Sequence, residues 1–279
     1  MPAYLRPTSQ SEALAALAQG RLTILAGGTD YYPSMVGKQL ADDILDITAI
    51  GTLRGISDAG SCWRIGATTT WGELAGAELP PLFDGLKAAA REVGGVQIQN
   101  AGTIAGNLCN ASPAADGVPP LLALDARVEI ADTAGSRRVA LADFILGNRK
   151  TLLRPDQLLT AVLIPKPARC ACSHFAKLGA RKYLVVSIVM VAATLEIEAG
   201  RVGAARVAVG AASAVAQRLP LLESALRGQV FDPSLGAHVR AEHLSPLAPL
   251  DDVRASREYR VDASLTLVRR VLNELGARA

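Results

Sequence analysis

Two stretches of this chain combine glycine, small residues and polar side chains in a way that suits ligand binding. The first, Ile24-Leu25-Ala26-Gly27-Gly28-Thr29-Asp30-Tyr31, begins within a run of β-forming residues. Adjacent glycines let the backbone turn sharply and approach a ligand closely, and successive N–H groups can form an anion-binding nest. Thr29 or Asp30 could cap a following helix, whose start adds a field that favours phosphate. A plain turn before a capping residue is the other reading of the same residues. The second stretch runs from Asn100 to Asp116, and bulky side chains nearly vanish along it. Read as a loop, it cannot hold itself by apolar packing, so a ligand would complete it. The backbone donors at Thr103, Ile104, Ala105, Gly106 and Asn107 suit a diphosphate, and Asp116 suits a sugar or polyol hydroxyl. A polar Ω-loop capping the next helix is the alternative.

Two separate cradles suit a long, bent, doubly charged ligand better than a mononucleotide, and a dinucleotide such as FAD fits that description. The chain contains neither GxGxxG nor GK[ST], so the Rossmann and P-loop readings are excluded. The four cysteines, at 62, 109, 170 and 172, lack zinc or iron–sulfur spacing and read as reduced, small hydrophobes. His174, His238 and His243 form no ligand pattern, so no protein-bound metal is expected. No Ser/His/Asp or Cys/His set appears, and no catalytic side chain is assigned.

The rest of the composition describes a globular protein. The chain has 279 residues, half of them hydrophobic, and a net charge of 29 − 26 = +3 with the signs well mixed. With aromatics at 4% and no dense basic patch, it does not read as a nucleic-acid binder. The N-terminus lacks the features of a signal peptide. The most apolar run, Tyr183 to Ile197, is shorter than the roughly 18–20 residues a membrane span needs. A cytoplasmic location is expected by default.

The elements that must position the two stretches alternate strand and helix at first. A helix is expected over Ser9 to Gln19, capped by Gly20, then strands at Leu22 to Ala26 and Ile44 to Ile47. A hairpin follows, from Ile56 to Ile65 around Ala59-Gly60-Ser61. Thr69 or Thr70 would cap a short helix through Leu74, and Pro80 to Val93 reads as another helix, ended by Gly94-Gly95. Ala114 to Leu124 is a further helix candidate. Val128 to Ala131 and Arg137 to Ala140 form a second hairpin, and Leu158 to Ile164 is a strand closed by Pro165. Two prolines mark 165–173 as the linker. Beyond it come strands at Phe175 to Leu178, Val185 to Glu198 and Arg206 to Ala211. Helices are then expected at Leu219 to Leu226, Pro233 to Glu242 and Ser256 to Leu275. This order, sheet first and helices after, indicates a compact α+β unit.

Ala26-Gly27-Gly28-Thr29-Asp30 and the stretch Thr103 to Ala126 (TIAGNLCNASPAADGVPPLLALDA) closely resemble the FAD-binding subunit of the molybdenum hydroxylases. That family includes xanthine dehydrogenase, the medium subunit of aerobic carbon monoxide dehydrogenase, and related N-heterocycle and aldehyde dehydrogenases. The resemblance covers essentially the whole chain, including FxKxxxR at Phe175, Lys177 and Arg181. It implies an α+β protein with a vanillyl-alcohol-oxidase (PCMH) type FAD-binding domain over 1–168, in subdomains of about 1–55 and 56–168. A small C-terminal domain over 172–279 would carry a three-stranded sheet and helices.

By the same resemblance, Ile24 to Tyr31 and Thr103 to Asn107 would hold the FAD diphosphate. Asp116 would bind the ribityl or ribose region, and Leu159 and Lys177 would lie near the isoalloxazine ring. A core leucine and a surface lysine are the plainer readings of those last two. A cation at Lys177 would raise the ring's reduction potential. Two departures stand out. The family pattern has Gly where this chain has Ala105, so either that position does not need φ > 0 or the loop differs. The iron–sulfur insertion of the 4-hydroxybenzoyl-CoA reductase relatives is missing, and the cysteines do not replace it.

The implied function is electron transfer. A large molybdopterin-binding subunit oxidises substrate, and a small subunit with two-iron two-sulfur clusters relays electrons. FAD on this chain passes them to NAD, a quinone, dioxygen or another acceptor. The implied assembly is a dimer of heterotrimers, a heterohexamer. Two other classes compete: an autonomous flavoenzyme of the same fold, and a non-catalytic nucleotide-binding scaffold module.

Overall fold

The computed structural model describes residues 2–39, 41–182 and 184–279. Tyr183, the first residue of the apolar run, lies outside them. Three short parallel strands open the chain, in the order Tyr4–Leu5, Ile44–Asp46, Thr23–Leu25. The Gln10–Gln19 helix covers them. Ser9 starts that helix through a reciprocal capping box with Glu12, and Ala13, Leu14 and Leu17 bury one face of it against Leu45, Ile47 and Ile50. Gly20 ends it in extended backbone rather than the expected left-handed cap. The edge strand at Tyr4–Leu5 escaped the sequence reading because both residues are exposed, leaving no alternation to detect.

The second layer is a five-stranded antiparallel sheet in the order Ile56–Asp58, Cys62–Gly66, Leu158–Pro165, Arg127–Asp132, Gly135–Ala140. Both expected hairpins are its outer pairs. The late strand Leu158–Pro165 sits at the centre, and its near-continuous run of buried residues fits that place. Helices pack across one side. Thr70 caps Trp71–Gly76 through a capping box with Glu73, and Asp84–Glu92 follows a single 3-10 turn at Pro81–Phe83.

The stretch read as a loop from Asn100 is largely helical. Val96–Ala101 and Ile104–Asn110 are helices, separated only by Gly102 and Thr103. Alanine favours helix while glycine and asparagine favour turns, so small size alone decides neither. Here Ile104, Ala105 and Leu108 are buried, which supplies the apolar packing that a loop would lack. Ala105 therefore sits in helix and needs no positive φ. The next helix is shorter than expected, Val118–Ala123, because Pro119 and Pro120 fit only its first turn.

The C-terminal unit has four strands rather than three: Cys170–Leu178, Val189–Glu198, Arg201–Gly210 and the two-residue Gln217–Arg218. Its first strand begins at Cys170, so only residues 166–169 remain as the linker. Glu198 pairs with Arg201 across a two-residue turn in which Ala199 and Gly200 both have positive φ, the geometry that matches strand twist. That hairpin extends the third strand well before Arg206. The Arg257–Gly276 helix lies on the sheet with Val268, Val271, Leu272 and Leu275 fully buried. The helix expected over Pro233 to Glu242 is instead two 3-10 turns, Leu235–His238 and Ala241–Leu244. The reason is tertiary. A side chain on Gly236 would collide with the Arg269 carbonyl and Asn273 of the long helix, and Arg269 holds the Val239 carbonyl in extended backbone.

The two units share a core. Met190, Ala192, Ala208 and Ala216 of the C-terminal unit join the cluster built on Trp71, Phe83, Leu86, Leu121 and Phe144. Trp71 is 1% exposed, and its ring leaves no space for a side chain at Gly117. Trp71→Ala is expected to cost about 3–5 kcal/mol through the cavity it leaves, read as a lowered urea midpoint with an unchanged slope. A loss below about 1 kcal/mol would mean that this ring does not anchor the core.

Candidate functional site

A groove of about 410 Å³ runs between the two glycine-bearing stretches, within the size range of small-molecule sites. One wall is Ile24 to Tyr31. The other is the start of the Ile104–Asn110 helix, through Thr103, Ala105, Gly106, Asn107 and Asn110. Ile47, Ala67, Trp71, Leu158 and Leu159 form an apolar floor.

Close backbone packing sets the position of the first wall. A Cβ built on Gly27 would lie 2.0 Å from the Ala101 carbonyl oxygen, and one on Gly102 would lie 3.3 Å from Thr29 Oγ1. The first loop thus rests directly on the turn that starts the second helix. Gly28 has φ +67°, a conformation open to glycine at little cost. Beyond it, the amides of Gly27, Gly28, Thr29 and Asp30 donate to no protein acceptor among the described residues. Successive uncommitted amides in such a turn make a concavity suited to an anion.

The second wall is differently engaged. Thr103 caps its helix by accepting from the Gly106 amide at 3.1 Å. The Ile104 amide donates to Thr69 and that of Asn107 to Thr103. Its backbone donors are therefore largely committed, and its contribution is a side chain. Asn107 Oδ1 is buried without a hydrogen-bond partner, and a buried orphaned acceptor calls for a donor.

The remaining expected residues divide. Leu159, 2% exposed, lines the groove, so its core and site readings coincide. Asp116 and Lys177 do not line it. They form a buried ion pair at 3.0 Å between the two units, with side chains 12% and 6% exposed. Ser187 donates to the other Asp116 oxygen at 2.9 Å, and Lys177 also donates to the Glu92 carbonyl. Burial pushes the Asp116 carboxyl up, against the pull of Lys177 and Ser187. Lys177 is thus not a surface residue. Arg181 of the same pattern donates to the Leu184 carbonyl at 3.0 Å.

Asp30 begins the four-residue Tyr31–Ser34 helix but makes no side-chain cap. Its carboxylate goes instead to Arg149, 2.9 Å away. Arg149 also donates to Asn110 Oδ1 at 2.7 Å, so it joins the two walls. The sequence reading missed it, because Arg149 is remote from both stretches and sits in the short turn between Ile145–Gly147 and Lys150–Thr151.

The chain matches two family models: "FAD binding domain in molybdopterin dehydrogenase" over residues 1–167, and "CO dehydrogenase flavoprotein C-terminal domain" over residues 174–275. It is 31% identical to the putative xanthine dehydrogenase FAD-binding subunit of Escherichia coli K12, over 99% of this chain and 96% of that one. Against the carbon monoxide dehydrogenase medium chain of Hydrogenophaga pseudoflava it is 28% identical, over 99% and 97%. Among solved structures, it superposes on a chain of reconstituted CO dehydrogenase from Oligotropha carboxidovorans with a TM-score of 0.90 at 28% identity, covering 100% of this chain and 99% of that one. A chain of quinoline 2-oxidoreductase from Pseudomonas putida 86 gives 0.88 at 28% identity, covering 99% and 97%.

Removing Lys177 would leave the Asp116 carboxylate buried and unpaired. Lys177→Ala is expected to cost about 3–5 kcal/mol at neutral pH. Without the lysine the folded-state pKa of Asp116 rises further above its unfolded value, so the deficit exists only while the carboxylate is ionised. It should shrink as pH falls through that raised value toward the ordinary carboxylate range. Urea unfolding of both proteins across that span tests this. A deficit that does not change with pH would show that lost packing, not charge, carries the effect.

Proposed function

The chain belongs to the family of FAD-binding domains in molybdopterin dehydrogenases, and on that premise we propose that its groove holds FAD with the diphosphate on the Gly27–Asp30 amides. The observation that carries this assignment is that run of four uncommitted amides on one wall of the groove. The residues present fit the cofactor. Gly27 and Gly28 let the backbone approach it, the amides supply donors for the phosphate oxygens, and Asn107 accepts from a ribityl or ribose hydroxyl. Leu159 and the apolar floor would exclude water from the bound flavin. Asp116 and Lys177 lie outside the groove lining, so they would influence the cofactor only indirectly, through their pair where the two units meet.

Bound FAD supplies reversible two-electron acceptance and donation; the protein binds, orients and electrostatically tunes it. The chain serves as the electron-transfer flavoprotein subunit of a molybdenum-containing oxidoreductase. Its partners are a large molybdopterin-binding subunit and a small iron–sulfur subunit, in a dimer of heterotrimers located in the cytoplasm. We read its domains as 1–168, with subdomains of about 1–55 and 56–168, and a C-terminal domain expected over 172–279 whose first strand already begins at Cys170. The near-complete coverage of relatives that are themselves dehydrogenase subunits supports this reading. Among the described residues no helix is long and apolar enough to cross a membrane.

The chain purified alone, loaded with FAD and desalted, should show an oxidised-flavin absorption spectrum and release FAD on denaturation, identified by mass. Gly28→Val should retain the fold yet lose at least about tenfold in FAD affinity, because a β-branched residue resists the required positive φ and the turn must rearrange. A folded wild-type protein that cannot be loaded with FAD would overturn the assignment.

A further inference from the structure

Asp30 is the only charged side chain among the described residues that line the groove, and it is negative. It stands at the end of the four amides that face the proposed diphosphate. Left alone, its carboxylate would repel a phosphate bound there. Arg149 stands behind it, outside the groove lining. Its Nη1 is 2.9 Å from Asp30 Oδ2 and its Nη2 is 3.4 Å from Oδ1, a two-pronged pairing. Nη1 also donates to Asn110 Oδ1, while the Arg149 amide donates to the Ala111 carbonyl at 2.9 Å. The residue holds φ +54°, so the turn presents this arginine in a conformation that non-glycine residues seldom adopt.

We propose that Arg149 is a positioning residue that neutralises Asp30, so that the groove can accept an anionic diphosphate. The proposal rests on the FAD reading and names the charge balance within it. A fold-stabilising role does not explain the pair, because Arg149 and Asp30 are 61% and 49% exposed and exposed ion pairs contribute little to stability. The Arg149→Gln protein should therefore fold, and its defect should lie in binding.

The test is titration of the flavin-free full chain with FAD, followed by flavin fluorescence, for wild type, Arg149→Gln, Asp30→Asn and the double variant. Thermal melting checks the fold of each. Arg149→Gln should weaken FAD binding at least about tenfold, and adding Asp30→Asn should bring affinity back to within about threefold of wild type. ADP, which carries the diphosphate, should follow the same pattern in competition or calorimetry. Riboflavin, which lacks it, should bind all four proteins alike. Arg149→Lys should keep most of the affinity. FAD binding by Arg149→Gln at wild-type strength would overturn the proposal, and so would a double variant no better than Arg149→Gln, which would leave only a mechanical tie. If Arg149→Gln itself fails to fold, the proposal falls on that ground as well. A wild-type chain that binds ADP but no FAD defeats the flavin reading and leaves the charge comparison readable on ADP; one that binds neither defeats both.

Discussion

The site depends on one close contact, the passage of the Gly27 backbone over the Ala101 carbonyl. Any side chain at Gly27 would occupy the position of that oxygen. Because the contact is backbone on backbone, the first loop is placed directly by the turn that begins the Ile104–Asn110 helix. That turn is fixed in its own right: Trp71 donates its amide to Gly102 and packs its ring where a side chain at Gly117 would otherwise sit. The distance between the walls of the groove is therefore set mainly by main chain and one buried indole, with Arg149 tying Asp30 to Asn110 at the mouth. A ligand that needs two cradles at a fixed spacing needs a support of this kind.

Charge is handled in a consistent way around this frame. Among the described residues no basic side chain lines the groove, so the proposed diphosphate would be held by oriented amides, which carry partial charge without a large desolvation cost. Full charges are paired in two very different settings, one at the rim of the groove and one outside it. Asp116 and Lys177 are nearly excluded from water and tie the two units together; losing one partner there is a stability event. Asp30 and Arg149 are half exposed; losing one partner there alters the field at the groove and little else. The same pairing of carboxylate and cation thus serves cohesion in one place and binding in the other, and burial decides which.

Much of this was readable from residue patterns. The Gly27-Gly28 turn followed from two glycines after a β-type run, and both hairpins of the five-stranded sheet followed from alternation around Gly60 and Gly135. A hydroxyl at Thr69 or Thr70 marked the start of a short helix, and the structure assigns the cap to Thr70; the long C-terminal helix was visible as an apolar stripe. The residues from Asn100 to Asn110 misled because small side chains permit helix and loop alike; burial of Ile104 and Leu108 decides for helix. Pro233 to Glu242 misled in the opposite sense. Its local propensity allows a helix, but docking of Gly236 against the Arg257–Gly276 helix leaves room only for two tight turns.

The sequence by itself determined the local devices: where the chain turns, which strands alternate, which helices are capped, and which two stretches lack bulk enough to admit a ligand. These depend on residues within a few positions of each other, whose steric and hydrogen-bonding preferences act before any distant contact forms. Tertiary structure alone decided that Gly27 rests on Ala101, that Arg149 reaches Asp30 across 119 positions, and that Lys177 meets Asp116 across 61. Such pairings depend on how separate layers stack. A residue's type states what partners it can accept, and only the packed fold brings one within reach.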